Sequence, residues 1–171
     1  MRLFQRLHFE QLFHVDWLVN PTGATYRFTD YFKGLEKVEA VKQIFGEKTI
    51  EVLQNLKVKF TYIGGYMWID PRDGSLVVST HYLNEGDKTG IYLDLVHELV
   101  HIRQLMEGKK LFPAEYDYVD RPTEIEAYQH AVHEARRLGL NDQQICEYLK
   151  TEWMSNEDLR KLAKSLDVKC T

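Results

Sequence analysis

Five residues, His97-Glu98-Leu99-Val100-His101, constrain this chain more than any others. They lie in an apolar stretch, Ile91 to Val96 before them and Ile102 to Met106 after, closed by Gly108. That pattern predicts a helix with a glycine stop. Side chains at i and i+4 of a helix stand one above the other, so His97 and His101 share a face about a turn apart. Two imidazoles so placed can hold one Zn²⁺ at roughly 2.0–2.1 Å each. Glu98 lies one step round the helix, beside such an ion rather than on it. A carboxylate there can take a proton from an activated water. Leu99 and Val100 turn inward. The competing reading is an accidental match on a helix with surface histidines, which the apolar flanks disfavour.

The 171 residues read as one domain, 1–171, long enough to bury a core without staples. A hydrophobic share of 44% is too high for a disordered chain. Net charge −4 and a pI near 6.0 leave no basic field for a nucleic-acid backbone, so no nucleic-acid partner is expected. Cys146 and Cys170 form neither a disulfide framework nor a Cys-x-x-Cys knuckle, and are expected as reduced, partly buried thiols. Residues 1–20 carry Arg2, Arg6, His8, Glu10, His14 and Asp16, which rules out the apolar core of a signal peptide. No run reaches membrane-spanning length. The expectation is a cytoplasmic protein without membrane contact.

Residues 1–19 alternate apolar and polar, with Phe4, Phe9, Phe13 and Trp17, and fit either a strand or an amphipathic helix. Asn20 to Gly23 is a turn. Tyr31, Phe32, Leu35, Val38, Val41, Ile44 and Phe45 recur at threes and fours, predicting a helix from about Thr29 that Gly46 interrupts. A second helix spans Lys48 to Leu56, making residues 1–56 a mainly helical N-terminal part. Val58 to Ile63 alternates at period two and reads as a strand. Tyr66 to Ile69 is a second strand, Asp70 to Gly74 a tight turn, and Ser75 to Tyr82 a third strand. Residues 84–89 are polar loop and 111–118 an aromatic one. Thr123 to Leu138 forms a helix ending at Gly139, and 57–139 is the central unit. Helices over 142–152 and 156–166 make up a C-terminal pair within 140–171.

Two histidines need a third protein ligand. The helix over 123–138 presents Glu124 and Glu126 rigidly, with His130 and His133 further along it. Here the chain resembles the gluzincin branch of the zincin metallopeptidases. That resemblance rests on His97-Glu98-x-x-His101 and on Glu124-Ile125-Glu126-Ala127-Tyr128. It covers His97 to Tyr128 well and the strands from residue 58 loosely. It implies Glu124 as the third ligand, with Tyr128 standing where the family has Asp or Asn. Glu126 is the alternative, although Thr123-x-x-Glu126 also reads as a capping box. The resemblance further implies that a peptide substrate lies along the sheet edge at Tyr66, Met67, Trp68 and Ile69, where unpaired backbone groups accept an extended chain. Trp68 and Met67 also suit a core. Tyr116, Tyr118, Tyr128, His130 and His133 are of the type that stabilises an oxyanion. Asp94 shares the face of His97 as a supporting partner, or is a first-turn carboxylate.

The function expected is therefore a zinc-dependent peptidase with ligands His97, His101 and Glu124, Glu98 as general base, and a peptide or protein substrate. The alternative is a zinc-binding protein without turnover, acting through partner contacts; such a protein has no need of Glu98. The last two helices invite comparison with a helix-turn-helix, but 141–171 hold six acids against five bases, so no recognition helix stands out. The expected fold is α+β and zincin-like: a small, mainly antiparallel sheet packed on the histidine helix, with further helices below.

Overall fold

The computed structural model describes residues 14–15 and 24–170. The alternating run over 1–19, apart from residues 14–15, and the Asn20–Gly23 turn lie outside these. His14–Val15 forms a two-residue strand, β1, antiparallel to Phe32–Lys33, β3.

The fold is α+β. The first expected helix is broken in two. A single turn, α1 (Phe28–Tyr31), leads into β3, and α2 (Glu39–Phe45) follows a short 3-10 turn over Leu35–Lys37. Gly34 at φ 83° causes the break, because only glycine enters that region without strain and it turns the chain out of the helical path. The helical spacing was nevertheless a true record of burial: Phe32, Leu35, Val38, Val41, Ile44 and Phe45 all lie in the core. Phe28 and Phe32 stack with ring centroids 4.8 Å apart. The helix α3 (Thr49–Asn55) stands where expected.

Four strands form the main sheet: β2 (Thr25–Arg27), β4 (Lys57–Thr61), β6 (Leu76–Ser79) and β5 (Met67–Ile69), in spatial order β2-β4-β6-β5. The two outer pairings are antiparallel, but β4 and β6 run parallel, so the sheet is mixed. The third strand ends at Ser79, not at Tyr82. The Ser79 hydroxyl accepts the Tyr82 N–H at 3.4 Å and caps a helix, α4 (Thr80–Glu85), where strand and loop were expected. Met67 and Ile69 point into the core while Trp68 is 38% exposed, the period-two pattern of an edge strand.

The centre of the molecule is α5 (Lys88–Met106). It is buried nearly all round, from Ile91 to Gln104, so it behaves as a core element rather than an amphipathic surface helix. Helix α6 (Pro122–Arg137) packs along it. Both helices end in the same way. Gly108 (φ 76°) and Gly139 (φ 86°) take the left-handed position, and the next amide returns to a carbonyl of the last turn, Lys109 to Gln104 and Leu140 to Ala135. This is a Schellman closure.

The C-terminal helices are α7 (Asp142–Leu149) and α8 (Asn156–Ser165). Asn141 and Gln144 form a reciprocal capping box on α7. The cysteines correct the expectation of free thiols: Cys146 on α7 is bonded to Cys170, 24 residues on. The spacing gave no signal, since the chain returns to α7 only after α8 has packed. Among the described residues, no helix is long and apolar enough to cross a membrane.

Candidate metal centre

Asp87 caps α5 by accepting the Gly90 N–H at 2.8 Å, which sets the helix phase that His97 and His101 follow. Both histidines are buried and their Nε2 atoms face each other at 3.0 Å. One donor atom from each of His97, Glu98 and His101 falls within 4.8 Å of the other two, so these three residues could hold a metal ion.

A fourth group comes from α6. Pro122 opens that helix and Glu124 lies in its first turn, 2% exposed, with Oε2 at 3.2 Å from His97 Nε2 and 3.5 Å from His101 Nε2. That oxygen is buried and has no hydrogen bond of standard geometry. Burial opposes its charge, but His101 and His97 outweigh this and hold the carboxyl far below its ordinary range.

Glu126 is directed elsewhere. It accepts from Arg103 at 2.6 Å, Gln104 at 2.8 Å and Lys109 at 3.0 Å on the outer side of the helix pair. The expected capping box is absent because the cap is Arg121, not Thr123; the Thr123 hydroxyl instead donates to the Leu111 carbonyl at 2.8 Å. His130 lies in the electrostatic neighbourhood of Arg103, Glu126 and His133, away from the paired imidazoles.

Gln104 is the residue the sequence reading passed over. Its Oε1 is 2.7 Å from His101 Nδ1, while its Nε2 donates to the Thr123 carbonyl at 2.9 Å and to Glu126. A carbonyl oxygen there requires the proton on Nδ1, which makes Nε2, turned to His97 and Glu124, the nitrogen available to a metal. The signal was available: Gln104 stands three residues after His101, on the same helical face.

Glu98 is buried. Burial pushes its carboxyl up to about 8, reinforced by Glu124 and Asp94, while His101 and the Ile69 backbone amide pull the other way. For His101 burial lowers the pKa, but Glu124, Glu98 and Gln104 prevail and raise it to about 9. His97 is driven down by burial and by the charge on His101, against Glu124.

His97 and Glu98 open onto a cavity of about 760 Å³. Tyr66 and Met67, at the edge of the sheet, line it, and so do Leu138 to Leu140, Gln144, Tyr148 and Trp153 from the end of α6 onward. Ile69 contributes its backbone amide to Glu98 rather than a cavity wall, and Trp68 faces outward. Tyr128 packs its ring 4.3 Å from that of His97, and its hydroxyl meets the Tyr118 hydroxyl at 3.0 Å rather than a carboxylate or imidazole. Tyr116 is 44% exposed and does not line the cavity. Asp94 does line it. The helix begins at Lys88, so Asp94 lies beyond the first turn, and its Oδ2 accepts the Tyr82 hydroxyl at 2.6 Å.

No family model matches the chain, and neither a curated protein nor a solved structure matches it. The chemistry is therefore argued from the side chains alone.

Proposed function

We propose that this protein is a zinc-dependent peptidase of the zincin type, with His97, His101 and Glu124 as ligands and Glu98 as general base. The observation that carries the reading is the mutual spacing of three donor atoms. His97 Nε2, His101 Nε2 and Glu124 Oε2 stand 3.0, 3.2 and 3.5 Å from one another. Donors on a tetrahedral Zn²⁺ with bonds of about 2.05 Å lie roughly 3.3 Å apart. A buried carboxylate oxygen without a hydrogen bond, facing two imidazole nitrogens, fits the same donor set.

Zinc bound there would polarise a carbonyl and make a water acidic enough to attack near neutral pH. The chain's own groups do the rest. Glu98, beside the ligands, takes the water's proton and delivers it to the leaving amine. Its enclosure raises its basicity, which suits a group that must hold the proton and then release it. The Tyr128 ring packs against that of His97 and its hydroxyl meets that of Tyr118, so these two tyrosines are the donors offered to a developing oxyanion. The edge of β5, unpaired among the described residues, supplies backbone groups for an extended peptide, beside the Ile69 amide that faces Glu98. The half-buried Cys146–Cys170 bridge favours an oxidising compartment and weighs against the cytoplasmic expectation.

The test is zinc content and cleavage of a mixed peptide library for wild type, Glu98→Gln and His97→Ala. Glu98→Gln should keep zinc and lose at least 10²-fold in turnover, the scale of general-base catalysis. His97→Ala should lose the metal. Zinc retained with no cleavage in wild type would favour the alternative, metal binding without turnover.

A further inference from the structure

Asp94 stands apart from the machinery above, and its surroundings are unusual for an aspartate. It lies on the cavity wall one helical turn before His97 and is half-buried. Its partner of standard geometry is a neutral hydroxyl, that of Tyr82. Among the described residues, no lysine, arginine or histidine forms an ion pair with it. Natural proteins seldom enclose a carboxylate without a cation. The Tyr148 hydroxyl, from α7, lies close enough to favour the Asp94 charge but has no hydrogen bond of standard geometry, although it is shielded from solvent. Lys150, the lysine on the same cavity, is exposed, as is Glu147 beside it.

A carboxylate with no cationic partner among the described residues and a hydroxyl with no hydrogen bond of standard geometry thus face one cavity from two helices. An ammonium or guanidinium group would satisfy both, since it donates several hydrogen bonds and carries the missing charge. We propose that Asp94, flanked by Tyr82 and Tyr148, is a cation-binding subsite of the cavity, and that the substrate carries a positively charged group close to the bond presented to Glu98. This rests on the peptidase reading for the word substrate, but the cation site itself does not depend on turnover. The charge has two chemical sources in a peptide, a free α-amine and a lysine or arginine side chain. Both lie within reach of a group one turn of helix, about 5 Å, from His97.

Four probes separate them: lysine amide, Nα-acetyl-lysine amide, leucine amide and the neutral Nα-acetyl-norleucine amide. Their binding is measured by calorimetry on the metal-free protein and on zinc-loaded Glu98→Gln, in which no hydrolysis interferes. At least one cationic probe should bind about tenfold or more tightly than the neutral one. Preference for leucine amide assigns the site to an amino terminus, and preference for Nα-acetyl-lysine amide to a side chain. Asp94→Asn should abolish the preference while leaving zinc affinity within twofold. Equal affinity for all four probes on wild type overturns the proposal even if Asp94→Asn fails to fold. So does a preference that survives in Asp94→Asn. Hydrolysis absent from wild type, with cation preference present, would sink the peptidase reading alone.

Discussion

Gln104 shows how far a single side chain can govern the centre. It accepts from His101 on one side and donates to a carbonyl and a carboxylate on the other, so its amide orientation is fixed from both ends. Removing it frees the His101 ring and its tautomer without emptying the core of a large group. Gln104→Ala should therefore lower zinc affinity about 10- to 100-fold, read by chelator competition, with the circular dichroism spectrum retained. Unchanged affinity would show that α5 alone orients His101. Away from the centre, Asp70 and Asp73 clamp the turn between β5 and β6. Asp73 accepts from Lys59 at 2.6 Å and from the Ser75 hydroxyl at 2.6 Å, which lower its pKa to about 2; hydrogen bonds from Arg72 depress Asp70 still further. Each carboxyl binds protons less tightly folded than unfolded. The stability they contribute is whole above the ordinary carboxylate pKa and drains away as pH falls towards 2. Urea unfolding should show Asp73→Asn less stable than wild type at pH 6, with the gap narrowing by pH 2.5. A gap independent of pH would mean that the turn is held by its backbone.

At the scale of elements, the predictable parts are those whose pattern is local. The cores of α3, α5, α6 and β5 stand within a residue or a few of their expected bounds, because periodicity and glycine stops are written in consecutive positions. Pattern reading failed where a short-range cap outcompeted it. Gly34 divides the expected first helix, and Ser79 starts a helix where alternation predicted strand. The Thr123–Glu126 pair misled for the same reason, since Pro122 makes Arg121 the cap and releases Glu126 to pair with Arg103 and Lys109. The element that depends most on a distant contact is α7, which the Cys146–Cys170 bond ties to the chain end. Closing a loop of 24 residues restricts the unfolded chain by about 3 kcal/mol. Cys170→Ser should lower the unfolding free energy by that order and the urea midpoint with it, and it should loosen the cavity wall that carries Gln144 and Tyr148. An unchanged midpoint would mean that α7 is held by packing alone.

For the molecule as a whole, an ion held at the proposed centre would link its binding to folding. Its donors come from α5 and α6, 23 residues apart between His101 and Glu124, and meet only when the helices are packed. An ion bound to that assembled set favours the folded state by about 2.7 kcal/mol at a hundredfold excess over Kd. For a chain of this length that corresponds to a rise in unfolding temperature of roughly 5–10 °C. Calorimetric scans with zinc and with a chelator should differ by this amount in wild type and coincide in His97→Ala.

By itself the sequence determined that two imidazoles share a helical face with a carboxylate beside them, since 3.6 residues per turn is a property of the backbone. It narrowed the third carboxylate to two positions on one later helix. Tertiary structure alone decided that Glu124 faces the histidines and Glu126 does not, that Gln104 holds His101, and that Asp94 lines a cavity with no ion pair of its own among the described residues. Those outcomes depend on the relative rotation and closeness of packed helices. Rotation and packing arise from the sum of contacts across the core, and no stretch of neighbouring residues encodes them.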